Sequence, residues 1–232
     1  MADGTGSRLL VRLAVRAAFV LLAIFLLLFG LSRRFDWAGA WWYLGILTIT
    51  SVLGVPWLAT HDPDLMHERM SKPTDAVPNW DRLLIGIYRW LVLALLVTAA
   101  LDAGRYRWSR VPMLVQIAGG VAVAASFVLI YRCLAVNHFL ASYARLQPDR
   151  GQSVVQNGPY RIVRHPMYTA IIGFVFGTVL LLGSWLGLVF AVLIGALFIV
   201  RTRLEDGMLA NGLDGYRAYA SRVTSRLVPG VW

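Results

Sequence analysis

The long apolar segments of this chain constrain its fold more than any other feature. Residues 12–32, 38–59, 83–101 and 111–135 are each mostly apolar, and a membrane-spanning helix needs about 20 such residues. Over the whole chain 58% of residues are apolar and 15% are charged, whereas a soluble domain carries roughly 25% charged residues. The composition excludes a disordered chain, a disulfide scaffold and an ordinary soluble enzyme.

A fifth apolar stretch, residues 167–200, is too long for one span. It contains 34 residues and none is charged. As a single helix it would measure about 51 Å, against a hydrocarbon core of about 30 Å. Gly183, Ser184 and Gly187 in its middle favour a tight turn. The sequence therefore predicts a helical hairpin of about 167–182 and 186–203, with one kinked helix plus an interfacial piece as the alternative.

These spans predict an all-α integral membrane protein with about six transmembrane helices, the last two forming the hairpin. We expect a single membrane domain over residues 1–232, with four spans in 1–135 and a loop, the hairpin and a tail in 136–232. The first apolar segment follows several arginines as a signal peptide would. No small-residue cleavage site follows it, so we expect it to be a retained span.

The basic residues predict the orientation of the chain. The formal net charge is +10, from 22 Lys and Arg against 12 Asp and Glu, and on a soluble chain it would suggest nucleic acid. With six spans, one face holds 16 of the 22 basic residues and the other holds five. The positive-inside rule then predicts cytoplasmic termini, and no nucleic-acid partner is expected. The 16 are Arg8, Arg12, Arg16, Arg69, Lys72, Arg82, Arg132, Arg145, Arg150, Arg161, Arg164, Arg201, Arg203, Arg217, Arg222 and Arg226.

The loop at residues 60–82 contains two histidines and several acids, a composition that resembles a metal-ligand set. The spacing of His61 and His67 does not place both on one helix face, as ligand pairs require. Asp62 followed by Pro63 is typical of an N-cap and the first helical position. The loop therefore predicts a capped surface helix, and no metal site is predicted.

A second candidate site precedes the hairpin. Pro166 can occupy the first turn of a helix, where its missing N–H costs nothing. Arg164 and His165 would then lie at the helix N-terminus, where free backbone N–H groups favour an anionic group. Anchoring at the membrane surface is the alternative for these two residues.

A third candidate follows the hairpin. Arg201 and Glu205 are four residues apart and share a helix face. The acidic pair Glu205 and Asp206 is disfavoured at a helix C-terminus, unless the helix continues or a cation binds there. A solvated ion pair is the alternative. Beyond Gly212 and Gly215, mostly helical spacing of apolar residues predicts a cytoplasmic C-terminal helix that lies on the membrane or folds back over residues 136–166.

Sequence elements on both sides of the predicted hairpin resemble a known signature. Residues of about 130–232 are similar to the isoprenylcysteine carboxyl methyltransferase family and its phospholipid methyltransferase relatives. One departure is Asp206, where the family usually has Glu. The matching elements are Gly158-Pro159-Tyr160, Arg164-His165-Pro166-Met167-Tyr168, Arg201 with Glu205-Asp206 and Leu209, and Arg226-Leu227-Val228-Pro229.

The resemblance implies S-adenosylmethionine as methyl donor, bound between the Arg164–Tyr168 loop and the acidic pair. Glu205 would accept the amino group of the donor, while Arg164 and free N–H groups around His165 would hold its carboxylate. Arg201 would orient a substrate carboxylate or pair with Glu205. The remaining expected cofactor-binding residues are Asn137, His138, Tyr160, Tyr168, Asp206 and Tyr216, with the tyrosines covering the adenosine or the sulfonium.

The expected function is methylation of a lipophilic substrate at the cytoplasmic face of a bacterial or archaeal inner membrane, first of all carboxyl O-methylation. A carboxylate is ionised at neutral pH and needs no general base. The alternatives are an NADPH-dependent enzyme of the sterol-reductase type and a non-catalytic membrane protein of the same fold. Beyond the bilayer and the lipophilic substrate, no protein partner is evident. Arg89, inside the third span, is costly there and would line the substrate route or make a structural contact.

Overall fold

The computed structural model describes residues 3–232, with side chains from residue 9 onward, and this part of the chain is helical and contains no strand. The side chain of Arg8 lies outside the described residues. The helices are α1 (Asp3–Ser32), α2 (Ala38–His61), α3 (Pro63–Met70), α4 (Asn79–Ala99), α5 (Met113–Val136), α6 (Pro166–Leu182), α7 (Gly187–Gly212) and α8 (Tyr216–Arg222). A π-helical stretch, Ala100–Tyr106, prolongs α4, and 3₁₀ turns cover Pro148–Arg150 and Gly158–Arg161.

Five of these helices are long and apolar enough to cross a membrane: α1, α2, α4 with its π-helical extension, α5 and α7. The sixth apolar helix, α6, has 17 residues and would span about 26 Å at 1.5 Å per residue. The all-α, multi-pass membrane architecture predicted from the sequence is thus confirmed.

The hairpin between α6 and α7 is also confirmed, and the single kinked helix is excluded. Gly183 ends α6 with φ +80°, a left-handed conformation that glycine adopts without steric cost. The N–H of Gly183 donates to Leu180 O at 3.1 Å and that of Ser184 to Val179 O at 3.0 Å. The chain therefore reverses direction within residues 183–186.

Three loops meet at one end of the bundle, which we call the Asp102 end. Arg34 Nη1 donates to Gly104 O at 2.8 Å and Trp37 Nε1 to Leu182 O at 3.1 Å. Ser184 Oγ donates to Asp102 at 2.6 Å. The loop before α2, the loop after α4 and the hairpin turn are thus joined, as six crossings require. Which end faces the cytoplasm remains a prediction.

The contact between α5 and α6 depends on two glycines. A Cβ at Gly119 would lie 2.5 Å from Leu181 N and 2.8 Å from Gly177 O, and a Cβ at Gly177 would lie 2.8 Å from Gly119 O. Small residues of this kind let two helix backbones approach closely in a membrane. The close approach fixes α6, whose first turn carries part of the candidate site.

At the opposite end, two short helices behave as the sequence predicts. Asp62 caps α3 by accepting from Leu65 N at 2.9 Å, and Pro63 occupies the first position. After α7 ends at Gly212, α8 folds back over the 137–165 loop rather than lying apart from it. Tyr219 Oη donates to Tyr160 O at 2.8 Å, which ties the tail to the loop.

Candidate active site

A cavity opens at the end of the bundle opposite Asp102, and we call this the cavity end. Its empty space, counted together with the open mouth, is about 990 Å³. The 137–165 loop, the start of α6, the end of α7 and α8 surround it. Eight of the residues predicted for the site line it: Asn137, Tyr160, Arg164, His165, Tyr168, Arg201, Glu205 and Tyr216.

Glu205 presents its carboxylate at the cavity wall. The helix α7 continues to Gly212, so the acidic pair does not lie at a helix C-terminus. Glu205 is half-buried, lines the cavity, and accepts a hydrogen bond from the Tyr168 hydroxyl through Oε2. The Tyr168 ring stacks against the His165 ring, with centroids 5.6 Å apart and planes 9° apart. Glu205 is the one acidic residue among the described residues that line the cavity.

Arg201 is paired with Asp81 at the start of α4. Its Nε donates to Asp81 Oδ1 at 2.7 Å and its Nη2 to Oδ2 at 3.3 Å. Both residues are buried, and the guanidinium lies over the Tyr168 ring at 4.9 Å. The predicted alternative of an Arg201–Glu205 pair is therefore wrong, because a buried carboxylate 120 residues away in sequence takes its place.

Asp206, one of the residues predicted for the cofactor site, lies behind the cavity wall rather than on it. Its carboxylate accepts from Arg164 Nε at 2.9 Å, Arg226 Nε at 2.9 Å and Tyr216 Oη at 2.7 Å. His165 Nε2 lies 3.3 Å from Oδ1. Adjacent positions on α7 point in different directions, so Glu205 reaches the cavity while Asp206 joins the loop, the hairpin and the tail.

Arg164 is held by internal acceptors. Beyond Asp206, its Nη1 donates to the carbonyls of Ala220, Val223 and Thr224 at 3.2, 2.8 and 3.1 Å. The backbone N–H groups of Arg164 and His165 donate to Ser225 O at 3.0 Å and Arg226 O at 2.9 Å. The prediction that these N–H groups are free is wrong, because the tail folds back and supplies their acceptors.

Two further tyrosines wall the cavity in their neutral form. Tyr160 Oη accepts from Asn137 Nδ2 at 2.9 Å, and burial raises the pKa of Tyr160 well above its usual value. Burial and the hydrogen bond to Asp206 also raise the pKa of Tyr216. Both hydroxyls stay protonated at neutral pH, so they act as hydrogen-bonding groups and not as bases.

His138, also predicted for the cofactor site, does not line the cavity. Its Nδ1 lies 2.5 Å from Asp62 Oδ2, the N-cap of α3. The side chain borders a separate surface depression with Asp62, Asp64, Phe139 and Arg150. Asn137 and His138 are adjacent in the sequence, but their side chains have different partners, Tyr160 for Asn137 and Asp62 for His138.

Arg89 contacts the edge of the site. Its Nη2 donates to Tyr143 Oη at 2.9 Å, and Tyr143 lines the cavity. This hydrogen bond agrees with the second interpretation of Arg89, a structural contact.

Sequence reasoning missed several residues at the cavity. Arg69 lines it and donates from Nη1 to Leu140 O at 2.7 Å. Gln147 is almost fully buried and donates from Nε2 to Phe139 O at 2.7 Å, which closes the loop over the cavity. Asp81 lies behind Arg201. No local pattern pairs these residues with the hairpin.

Among residues 9–232, no group of three or more His, Cys, Asp or Glu side chains is arranged to hold a metal ion. The cavity instead combines one acidic side chain, four arginines and five tyrosines. Such a set suits a ligand that carries a positive group, a negative group and an aromatic ring.

Comparison with known families agrees with this arrangement. Residues 114–213 match the family model described as phospholipid methyltransferase. The match includes α6, the hairpin, Arg201 and the acidic pair, so this segment carries the phospholipid methyltransferase signature. The match supports the predicted resemblance of this segment to the phospholipid methyltransferases. A search of curated proteins gives no match to the chain.

Proposed function

We propose that the protein is a methyltransferase that uses S-adenosylmethionine and acts on a lipophilic substrate at the cytoplasmic face of the membrane. One observation carries the proposal: Tyr168 on α6 converges with Arg201 and Glu205 on α7 in one cavity, and all three residues lie in the family-matching segment. Carboxyl O-methylation is the reaction that the cavity supports best.

The chemistry of the lining residues fits the methyl donor. S-Adenosylmethionine supplies an electrophilic methyl group on a sulfonium and also carries an ammonium, a carboxylate and an adenosine. Glu205 offers a carboxylate to the ammonium group. The rings of Tyr160, Tyr168 and Tyr216 offer flat surfaces to the adenosine and π faces to a cation.

No side chain needs to form or break a covalent bond in this reaction, so the protein contributes by positioning the methyl donor and the acceptor. From behind the cavity wall, Asp206 holds the side chains of Arg164, His165 and Tyr216 in place. The hydrogen bond from Tyr168 fixes the carboxylate of Glu205. Residues of the 137–165 loop and of α8 form part of the cavity wall. A water-poor site favours the reaction of a sulfonium with a carboxylate, because charge is neutralised in the transition state.

A carboxylate acceptor would need no general base, and the tyrosines and arginines of the cavity do not supply one. Tyr160 and Tyr216 have raised pKa values, so neither takes a proton at neutral pH. Arginines cannot act as bases. An ionised carboxylate attacks through an oxygen without losing a proton, and the products are a methyl ester and S-adenosylhomocysteine.

The proposal is tested by titrating the protein, purified in detergent, with S-adenosylmethionine in a calorimeter. We expect saturable binding by the wild type. Glu205→Gln removes the negative charge but keeps the shape, and we expect its affinity to fall about tenfold to 100-fold, because a charge-assisted hydrogen bond contributes roughly 1.5–3 kcal/mol.

Asp214→Asn is the matched control, since Asp214 is an exposed acid nearby that does not line the cavity, and it should bind like the wild type. A parallel titration with NADPH addresses the reductase alternative. Binding of NADPH without binding of S-adenosylmethionine would refute the proposal.

A further inference from the structure

The arginines that line the cavity differ in how their charge is compensated. Arg164 is paired with Asp206, and Arg201 is paired with Asp81. Arg145 is paired with both Glu68 and Asp149, at 3.0 Å each. Three of the four arginines at the cavity therefore carry their own carboxylates, and their positive charge is largely neutralised inside the protein.

Arg69 is the fourth, and no described carboxylate lies within 4.0 Å of it. Its guanidinium makes one hydrogen bond, from Nη1 to Leu140 O at 2.7 Å, within the part of the chain whose side chains are described. An arginine has five N–H donors in a planar fork that matches a carboxylate. Most of that donor capacity is left over at the cavity wall.

The position of Arg69 is fixed by its surroundings. Ser142 Oγ donates to the backbone carbonyl of Arg69 at 3.0 Å, while the Arg69 side chain bonds to Leu140. Residues 140–142 and the end of α3 thus hold each other. The arginine is half-buried, and desolvation, together with the nearby charge of Arg201, lowers the pKa of its guanidinium. A cation in such a place gains from an anion beside it.

We propose that Arg69 forms a carboxylate-binding subsite of the cavity. The inference rests on the proposed function, because two carboxylates belong to that reaction: one on the methionine moiety of the methyl donor and one on the acceptor. Arg164, the residue first expected to bind the donor carboxylate, has its N–H groups occupied by Asp206 and the tail. Arg69 supplies the uncompensated charge that Arg164 lacks.

The experiment compares ligands that differ only in the carboxylate. In the first arm, S-adenosylmethionine and its decarboxylated analogue are titrated into wild type, Arg69→Gln and Arg69→Lys. In the second arm, N-acetyl-S-farnesylcysteine and its carboxamide are titrated in the presence of saturating S-adenosylhomocysteine. The measured quantity is the ratio of the two dissociation constants in each arm.

We expect the wild type to prefer the carboxylate form about tenfold or more in one arm. Arg69→Gln should reduce that ratio to near one, and Arg69→Lys should give an intermediate ratio, because lysine keeps the charge but not the planar fork. The arm in which the ratio collapses identifies the source of the carboxylate. A purely structural effect would weaken both ligands of a pair equally and leave the ratio unchanged.

Arg222→Gln is the matched control. Arg222 donates to a loop side chain, Gln156 Oε1 at 2.7 Å, and neither residue lines the cavity, so both ratios should stay at their wild-type values. Equal affinity of the wild type for both members of each pair would overturn the inference even if every Arg69 variant failed to fold. Unchanged ratios in Arg69→Gln would overturn it as well, while the proposed function would stand. Failure of the wild type to bind S-adenosylmethionine at all would overturn both.

Discussion

Each end of the bundle is organised around a buried aspartate, and the two aspartates have different partners. Asp102 accepts from neutral donors: Ser109 N at 2.9 Å, Ser109 Oγ and Ser184 Oγ at 2.6 Å each, and Leu186 N at 3.3 Å. Asp206 accepts from two arginines and a tyrosine, with a histidine close by. A buried aspartate joins loops at both ends, but of these two aspartates Asp206 is the one whose hydrogen-bond donors include arginines.

At the cavity end, some charged side chains are neutralised within the protein, and others have no charged partner and can bind a ligand. Asp206 and Asp81 neutralise arginines inside the wall, so those charges do not attract ligands strongly. Glu205 and Arg69 face the same cavity, and neither has an oppositely charged partner within 4.0 Å among the described residues. At the Asp102 end the hydrogen bonds are satisfied within the protein. We therefore assign a structural role to Asp102 and Asp206, and a ligand-binding role to Glu205 and Arg69.

The largest loss of stability is expected when Asp206 is replaced. Asp206→Ala should destabilise the protein by about 3–5 kcal/mol, because removing one partner of a buried ion pair leaves charges uncompensated. The measurement is thermal unfolding in detergent, followed by circular dichroism. Asp206→Glu, which restores the residue usual in the family, should stay close to the wild type. If Asp206→Ala unfolded at the wild-type temperature, the joining role of Asp206 would be wrong.

A smaller effect is expected at the other end. Asp102→Ala should cost about 1–3 kcal/mol, since it leaves neutral donors without an acceptor. Affinity for S-adenosylmethionine should remain within about twofold of the wild type, because the cavity lies at the opposite end of the bundle. Unfolding and calorimetric titration on the same sample check both statements. A tenfold loss of affinity would show that the two ends are coupled and would contradict the division of roles.

Much of the fold could be predicted because its signals are local. Span length follows from apolar runs, and the hairpin turn follows from Gly183, Ser184 and Gly187 within a stretch too long for one crossing. The cap at Asp62 is equally local. The motif residues Tyr168 and Glu205 could be brought together only through the family resemblance, which the matched segment supports.

The missed features depend on tertiary contacts. Spacing pairs Arg201 with Glu205, but Asp81 reaches Arg201 from α4 and is fully buried there. The N-terminus of α6 was expected to have free N–H groups, and the tail more than 50 residues later supplies their acceptors. Sequence patterns could not reveal that Arg69 lacks a carboxylate, because compensation of charge depends on which acids the fold brings near.

The central claim is that the cavity at Glu205 binds the methyl donor. Its most direct test is an experimental structure of the wild type, in detergent or nanodiscs, with saturating S-adenosylhomocysteine. We predict that the ligand lies in this cavity, with its amino group within hydrogen-bonding distance of the Glu205 carboxylate. Ligand bound elsewhere on the protein, with the Glu205 cavity empty, would contradict the account.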